Sequence, residues 1–191
     1  MRITAGSLKG SPLFAPKGLN VRPTSDKVRQ AIFNVLEHRD FGEEFALIGA
    51  RVIDLFAGTG ALSIEALSRG AAYALLIDTS AEARAALRRN VETLNLNGVT
   101  KIWRRDACHM GQNIHKSFDV AFIDPPYHLN LIPRVLASLH AGEWLHPHAV
   151  LVAEAALDEE IVPTEQYELL DHRKYGQTQV AFLRPAPADQ P

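Results

Sequence analysis

The sequence predicts an α/β domain built on a mostly parallel sheet with helices on both faces. Short apolar runs alternate with segments of helical period between residues 51 and 154. The first four runs are each closed by an acid, Asp54, Asp78, Asp106 and Asp124. Two strand-like runs around Tyr175-Gly176 predict a closing antiparallel hairpin. A length of 191 residues suits one such domain and is short for two large ones.

The elements follow in order. Over residues 1–22, Gly6, Gly10, Pro12, Pro16 and Gly18 punctuate two short strand-like pieces, Arg2-Ile3-Thr4 and Leu13-Phe14. Arg22-Pro23-Thr24-Ser25-Asp26 reads as a helix entry. Thr24 or Ser25 is its cap, and Asp26 complements the positive end of the helix dipole. Val28, Ala31, Ile32, Val35 and Leu36 then recur at helical spacing, and residues 38–49 connect. Strands are predicted over 51–56, 72–77, 99–104, 118–123 and 149–154. Helices are predicted over 61–69 (stopped by Gly70), 80–96 (with Ala83, Leu87, Val91 and Leu94 on one face) and 129–139. The hairpin occupies 167–171 and 178–183, and crossovers between parallel strands should be right-handed. The expected organisation is a basic arm and helix over 1–37 packed on a main domain over 38–185, with a frayed tail over 186–191.

Composition narrows the class. Hydrophobic residues make up 47% and charged residues 22%, which is ordinary for a globular protein. No apolar run approaches the roughly 20 residues that span a bilayer, and Met-Arg-Ile-Thr-Ala-Gly lacks an apolar signal core. The single cysteine, Cys108, excludes an internal disulfide and fits a reducing compartment, so a cytoplasmic protein is expected. The net charge of −2 hides an asymmetry. Residues 1–30 carry six basic groups (Arg2, Lys9, Lys17, Arg22, Lys27, Arg29) against one acid, while the remainder carries 14 basic and 21 acidic groups. A basic arm on an acidic body is suited to meeting phosphate.

Asp54-Leu-Phe-Ala-Gly58-Thr-Gly60 forms a glycine turn between the first strand and its helix. Such a turn lets the backbone approach a ligand, and the following helix offers unpaired N–H groups. A dinucleotide fingerprint would put a third glycine at position 63, where Ser63 stands, which disfavours a nucleotide-dependent oxidoreductase. Asp78 closes the second strand, where an acid can accept from both ribose hydroxyls. Asp106 closes the third, where a carboxylate can accept from an adenine amino group. The ordered set describes an adenosine pocket.

Asp124-Pro125-Pro126-Tyr127 closes the fourth strand beside the switch point of the sheet. An exocyclic amine on a nucleobase is a weak nucleophile because its lone pair is delocalised into the ring. Hydrogen bonds from its two N–H groups, to the Asp124 carboxylate and the Pro125 carbonyl, can pull the nitrogen toward tetrahedral geometry. Pro126 helps fix the carbonyl direction, and Tyr127 can stack on the base.

Together these features resemble the class I S-adenosylmethionine methyltransferases. The resemblance implies a seven-stranded, Rossmann-like sheet with a reversed C-terminal hairpin. It assigns Gly58 and Gly60, with Phe56 and Ala57 of the same turn, to the methionine part. Asp54 falls near the methionine amino group, Asp78 at the ribose, and Asp106 with Ala107 at the adenine. The opening Met-Arg-Ile-Thr-Ala-Gly, the segment Arg22-Pro-Thr-Ser-Asp-Lys-Val-Arg29-Gln-Ala-Ile-Phe-Asn34, the glycine turn continued to Gly70, and Asp-Pro-Pro-Tyr are together similar to the RsmD family. Those are bacterial guanine-N2 methyltransferases of 16S ribosomal RNA, and the likeness covers about residues 1–185. It implies a monomeric enzyme acting on 16S RNA in the small ribosomal subunit, with Arg2, Lys9, Arg22 and Arg29 as candidate RNA contacts. The segment from Arg22 to Asp26 could equally face the methionine end of the cofactor.

Other classes fit less well. An adenine-N6 methyltransferase would use the same amine site, but 191 residues leave little room for a separate target-recognition domain. A non-catalytic nucleic-acid-binding module would not require both Asp124 and the glycine turn. No metal is expected, because His140, His146 and His148 have no cysteine partners at zinc spacing. Cys108 is expected to line the pocket, Trp103 and Trp144 to be core or interface residues, and the stretch from His140 to His148 has no assigned role.

Overall fold

The computed structural model describes residues 1–16, 26–42 and 44–187. The helix entry expected at Arg22–Ser25, together with Lys17 and the last four residues of the tail, lies outside the described residues.

Helix α1 (Asp26–His38) leads to a connector and then to strand β1 (Arg51–Asp54). Helix α2 (Ala61–Ser68), strand β2 (Tyr73–Ile77), helix α3 (Ala81–Thr93) and strand β3 (Thr100–Trp103) follow. A single 3-10 turn at Ala107–His109 precedes strand β4 (Phe118–Ile123). Helix α4 (Ile132–Ala141), strand β5 (Leu145–Ala156) and the hairpin β6 (Tyr167–Tyr175) and β7 (Thr178–Pro185) complete the chain. The strands form one sheet in the order β3-β2-β1-β4-β5-β7-β6. The first five run parallel, and β7 is antiparallel to both β5 and β6. This is the expected seven-stranded, Rossmann-like architecture with its reversed hairpin.

Both faces of the sheet are covered, which is why the central strands read as continuous apolar runs. Val52, Val120, Phe122 and Val152 pack on one side with Ile32, Phe33 and Leu62 of α1 and α2. Ile53, Ala121, Ile123 and Leu151 pack on the other with Val135, Leu136 and Leu139 of α4. Trp144 and Trp103 belong to this second core, their rings 6.1 Å apart and edge-on, and the Trp144 indole N–H donates to the Gly111 carbonyl at 2.7 Å.

Helix α2 is buried from Leu62 to Ser68, because the sheet covers one side and the N-terminal arm the other. Glu65, fully buried, is the clamp for that arm. Its oxygens accept from the Thr4 N–H at 2.8 Å, the Thr4 hydroxyl at 2.7 Å and the Ala5 N–H at 3.0 Å. They also pair with Arg69 at 2.9 Å and with Arg29 at 3.3 Å. Ser68 adds a bond from its hydroxyl to the Ala5 carbonyl at 2.6 Å and accepts from the Leu8 N–H at 2.9 Å. Gly6 lies so close that a Cβ there would stand 1.8 Å from the Ser68 carbonyl oxygen.

Several boundaries differ from expectation for local reasons. The two strand-like pieces of the arm shrink to a single bridge between Arg2 and Pro12. Helix α3 starts after Ser80, whose hydroxyl accepts from the Ala83 N–H, and stops at Thr93, two residues before Asn95 turns left-handed at φ 57°. Helix α4 begins at Ile132 rather than 129 because His128 and Asn130 have φ of 62° and 47°. Strand β5 starts four residues early, through exposed His146-Pro147-His148, where no apolar pattern marks it.

Candidate active site

In a parallel sheet of order β3-β2-β1-β4 the carboxyl ends of four strands share one edge, and their terminal acids collect there. A cavity of about 630 Å³ opens at this edge. Its wall includes Phe56 and Gly58 of the first turn, Asp78, Asp106 and Ala107. Asp124, Pro125, Pro126 and Tyr127 of the loop after β4 line the same space. Thus nine of the twelve residues expected for catalysis and cofactor binding border one cavity, whose volume falls in the range of small-molecule sites, about 300–1,000 Å³.

The glycine turn is built for close contact. Gly60 caps α2 in a left-handed conformation, φ 82°, and a Cβ there would lie 2.7 Å from Leu87. Asp78 braces the turn, with one carboxylate oxygen accepting from the Gly58 N–H at 2.9 Å and the other from the Ser80 N–H at 2.8 Å. Asp106 caps its own 3-10 turn through the Cys108 N–H at 2.9 Å and meets His109 Nδ1 at 2.8 Å. The His109 hydrogen bond, followed by the Cys108 N–H, holds the Asp106 carboxyl below the usual carboxylate range. Pro125 is buried and Pro126 exposed, so the first proline anchors the loop while the second faces the opening.

Three expected cofactor residues stand behind the wall. Ala57 and Gly60 shape the turn from beneath. Asp54 is 2% exposed and its carboxylate accepts from the Ser63 hydroxyl at 2.8 Å, which places it behind the glycine turn and outside the cavity wall. Burial, with a smaller contribution from the Asp78 charge, raises the Asp54 carboxyl to about 7 against the opposing Ser63 bond. A raised carboxylate proton affinity in the folded state means that folding is favoured by protonation. Stability from this group is therefore present below about pH 4, its ordinary range, and is lost as pH rises toward 7. Asp54→Asn should remove that slope and raise the melting temperature at pH 8 relative to the wild type. Parallel thermal melts of the two proteins between pH 5 and 8 check this, and identical slopes would discard it.

Ser63 is one of the residues that sequence reasoning missed. It was weighed only as an absent third glycine, although its place in the first turn of α2 set it facing the end of β1. Thr79, Ser80 and Arg105 also line the cavity, beside acids that were identified. Glu154, 5% exposed at the end of β5, accepts from the Tyr127 hydroxyl at 2.9 Å and carried no local signal.

The basic candidates separate. Arg2 and Lys9 are exposed on the arm, and Arg2 donates to the Gly10 carbonyl at 2.7 Å. Arg22 lies outside the described residues. Arg29 corrects the expectation of an RNA contact: it is 0% exposed, paired with Glu65 and with Asp26 at 3.0 Å, and donates to the Arg2 carbonyl. Its charge holds the arm down. Among the described residues no three His, Cys, Asp or Glu side chains gather to hold a metal ion. The His146 and His148 rings lie 5.5 Å apart and tilted to each other, and His148 pairs with Glu44 at 2.5 Å. Cys108 is half-buried beside Asp106, and burial raises its thiol. Among the described residues no helix is long and apolar enough to cross a membrane.

Comparison with known proteins gives concordant results. The family model described as Conserved hypothetical protein 95 matches residues 1–184. YlbH of Bacillus subtilis is 35% identical over 189 residues, covering 96% of this chain and 98% of its own length. Ribosomal RNA small subunit methyltransferase D of Escherichia coli K12 is 31% identical over 182 residues, covering 95% of this chain and 87% of its own. The solved structure of yhhF from Escherichia coli superimposes with a TM-score of 0.80 at 30% identity, covering 97% of both chains.

Proposed function

We propose, from the premise that this chain belongs to the RsmD family of methyltransferases, that it transfers a methyl group from S-adenosylmethionine to the N2 amine of a guanine in 16S ribosomal RNA. Methyl transfer to ribosomal RNA is the named activity of the small-subunit relatives. The observation that carries the finer reading is the loop Asp124-Pro125-Pro126-Tyr127 facing the same cavity as Asp78 and Asp106. The cofactor's adenosine and the target amine would then meet across one space.

The residues present fit that cofactor. Asp78 and Asp106 offer carboxylates at neighbouring strand ends, suited to ribose hydroxyls and an adenine amino group, and the Gly58–Gly60 turn allows close backbone approach. When bound, S-adenosylmethionine supplies an electrophilic methyl group on a sulfonium. The chain's own residues prepare the acceptor. Asp124 and the Pro125 carbonyl draw hydrogen bonds from the two amine N–H groups, localising the nitrogen lone pair. Tyr127 stacks on the base, a contact worth about 1–3 kcal/mol in single-stranded recognition. As the nitrogen gains its methyl, one amine proton passes to Asp124 and on to water. A loop guanine can be extruded into such a pocket because it pays little unstacking energy.

The test is methyl transfer from labelled S-adenosylmethionine to three substrates: small subunits lacking the modification, naked 16S RNA and duplex DNA, with products identified as nucleosides. N2-methylguanosine from the RNA substrates supports the reading, and N6-methyladenine would overturn the choice of base. The exposed arm is assigned to RNA phosphate. Replacing Arg2 and Lys9 together by glutamine should weaken RNA binding and lower the slope of log affinity against log salt by about one to two. Filter binding at several salt concentrations checks this, and an unchanged slope would remove the arm from the RNA interface.

A further inference from the structure

The corner that follows Asp124-Pro125-Pro126 is fastened to the far side of the sheet at two points. Tyr127 donates its hydroxyl to Glu154 at 2.9 Å and lies 3.2 Å from the Thr178 hydroxyl. Glu154 and Thr178 are each 5% exposed, on the adjacent strands β5 and β7. The next residue, His128, takes a left-handed backbone at φ 62°. Its N–H donates to Glu159 Oε1 at 2.7 Å, while Glu159 Oε2 accepts from the Ala156 N–H at 3.0 Å. Gln179 of β7, itself buried, donates its amide to the Glu159 carbonyl and to the Ala156 carbonyl at 2.6 Å. Glu159 is thereby fixed in turn.

A left-handed residue other than glycine is disfavoured and persists only where its surroundings hold it. Here Glu159 supplies that hold. An aromatic ring at a loop corner would otherwise sample several rotamers. A buried carboxylate bonded to its hydroxyl fixes the tip of the ring, and with it the side-chain rotamer. Burial, reinforced by the Glu154 and Asp124 charges, pushes the Tyr127 phenol up, so it remains a donor wherever the enzyme works.

We propose that Glu154 and Glu159 are positioning residues for methyl transfer: Glu154 sets the rotamer of Tyr127 before the base arrives, and Glu159 locks the His128 turn that ends the loop carrying the Pro125 carbonyl. The proposal rests on the amine-methylation reading above. It adds two acids outside the Asp-Pro-Pro-Tyr motif, Glu154 on β5, the strand next to it in the sheet, and Glu159 in the turn that follows β5. Their work is to remove conformational freedom from the acceptor side of the reaction, where small misplacements are costly.

The experiment compares wild type, Tyr127→Phe, Glu154→Ala, Glu154→Gln, Glu159→Ala and the Tyr127→Phe/Glu154→Ala pair. Single-turnover methyl transfer is measured on small subunits lacking the modification, at saturating S-adenosylmethionine. Tyr127→Phe and Glu154→Ala should each slow transfer roughly ten- to hundredfold, as misoriented reactants do. S-adenosylhomocysteine affinity should stay within about twofold, since the lost interaction lies away from the cofactor. The double variant should be no slower than the worse single one, and Glu154→Gln, which keeps an acceptor oxygen, should recover most of the rate. Glu159→Ala should slow transfer with the Tyr127 ring still held.

The χ1 rotamer of 13C-labelled Tyr127, read from NMR couplings without any substrate, gives an independent measure: one rotamer in wild type and averaging among rotamers in Glu154→Ala. Wild-type rates in the Tyr127→Phe and Glu154→Ala proteins, additive losses in the pair, or equal rotamer averaging would overturn the proposal. Tyr127→Phe removes one hydroxyl and keeps the test decisive should Glu154→Ala fail to fold. An inactive wild type with a single Tyr127 rotamer would strike the methylation reading and the proposal with it. An active wild type with unaffected variants would strike the proposal alone.

Discussion

Asp124→Ala is expected to slow methyl transfer by about 10²–10⁴-fold, the usual worth of a positioned proton acceptor, with cofactor binding retained. The side of the cavity proposed for the cofactor is made from Asp78, Asp106 and the glycine turn, none of which depends on Asp124 for the hydrogen bonds described. Only the acceptor side loses a partner. Asp124→Asn should fall between wild type and alanine, because its amide oxygen still accepts one amine N–H but cannot take the proton. Calorimetry with S-adenosylhomocysteine and single-turnover transfer to unmodified small subunits separate the two effects. Activity equal to wild type in Asp124→Ala would remove the residue from the reaction.

Glu65→Ala is expected to cost stability on the scale of a broken buried ion pair, about 3–5 kcal/mol. The carboxylate has no exposure, and it neutralises Arg29, which has none either. Its removal would leave that guanidinium only the half-exposed Asp26 as counter-charge, and its Nη1 has no partner among the described residues. At this chain length the loss should lower the melting temperature by roughly 10 °C. The Thr4 and Ala5 amides would also lose their acceptor, so trypsin should cut the arm at Lys9 far faster than in wild type. Unchanged melting and unchanged cleavage would show that the arm is held by other means.

The same carboxyl has a pH signature. Burial alone would raise its proton affinity, but the Thr4 hydrogen bonds and Arg69 outweigh burial and hold it below its ordinary value of 4.5. A folded-state carboxyl held low contributes stability above the unfolded value and loses it as pH falls. The arm should therefore loosen in acid, below about pH 4.5.

Much of this was legible in the sequence because chemistry and topology coincide at strand ends. An acid after each apolar run needs only the parallel order of the sheet to bring all four to one edge. What escaped were pairings between distant segments. Arg29 was grouped with the exposed charges of the arm, yet it shares the helical stripe of Ile32, Phe33 and Leu36, all buried. That periodicity was the available warning. Glu65 stood inside an otherwise uncharged helix, and an acid in such a place needs a cationic partner. One partner, Arg69, stands four positions on, but the buried one, Arg29, is 36 positions away and could not be read locally. The early start of β5 was hidden because His146, Pro147 and His148 are exposed and follow no strand pattern. Glu154 was invisible as a functional residue since its meaning depends on Tyr127, which reaches it across the sheet from another loop.

The seam between β1 and β4 has a consequence for how such a protein can change. On the proposed reading, the residues offered to the adenosine lie in 56–107 and those offered to the target amine lie in 124–179, while the RNA backbone falls to the arm. The two sets meet through space and share few covalent neighbours. A lineage, or a designer, can therefore rewrite the acceptor segment to suit a different amine while the donor segment remains a constant chassis.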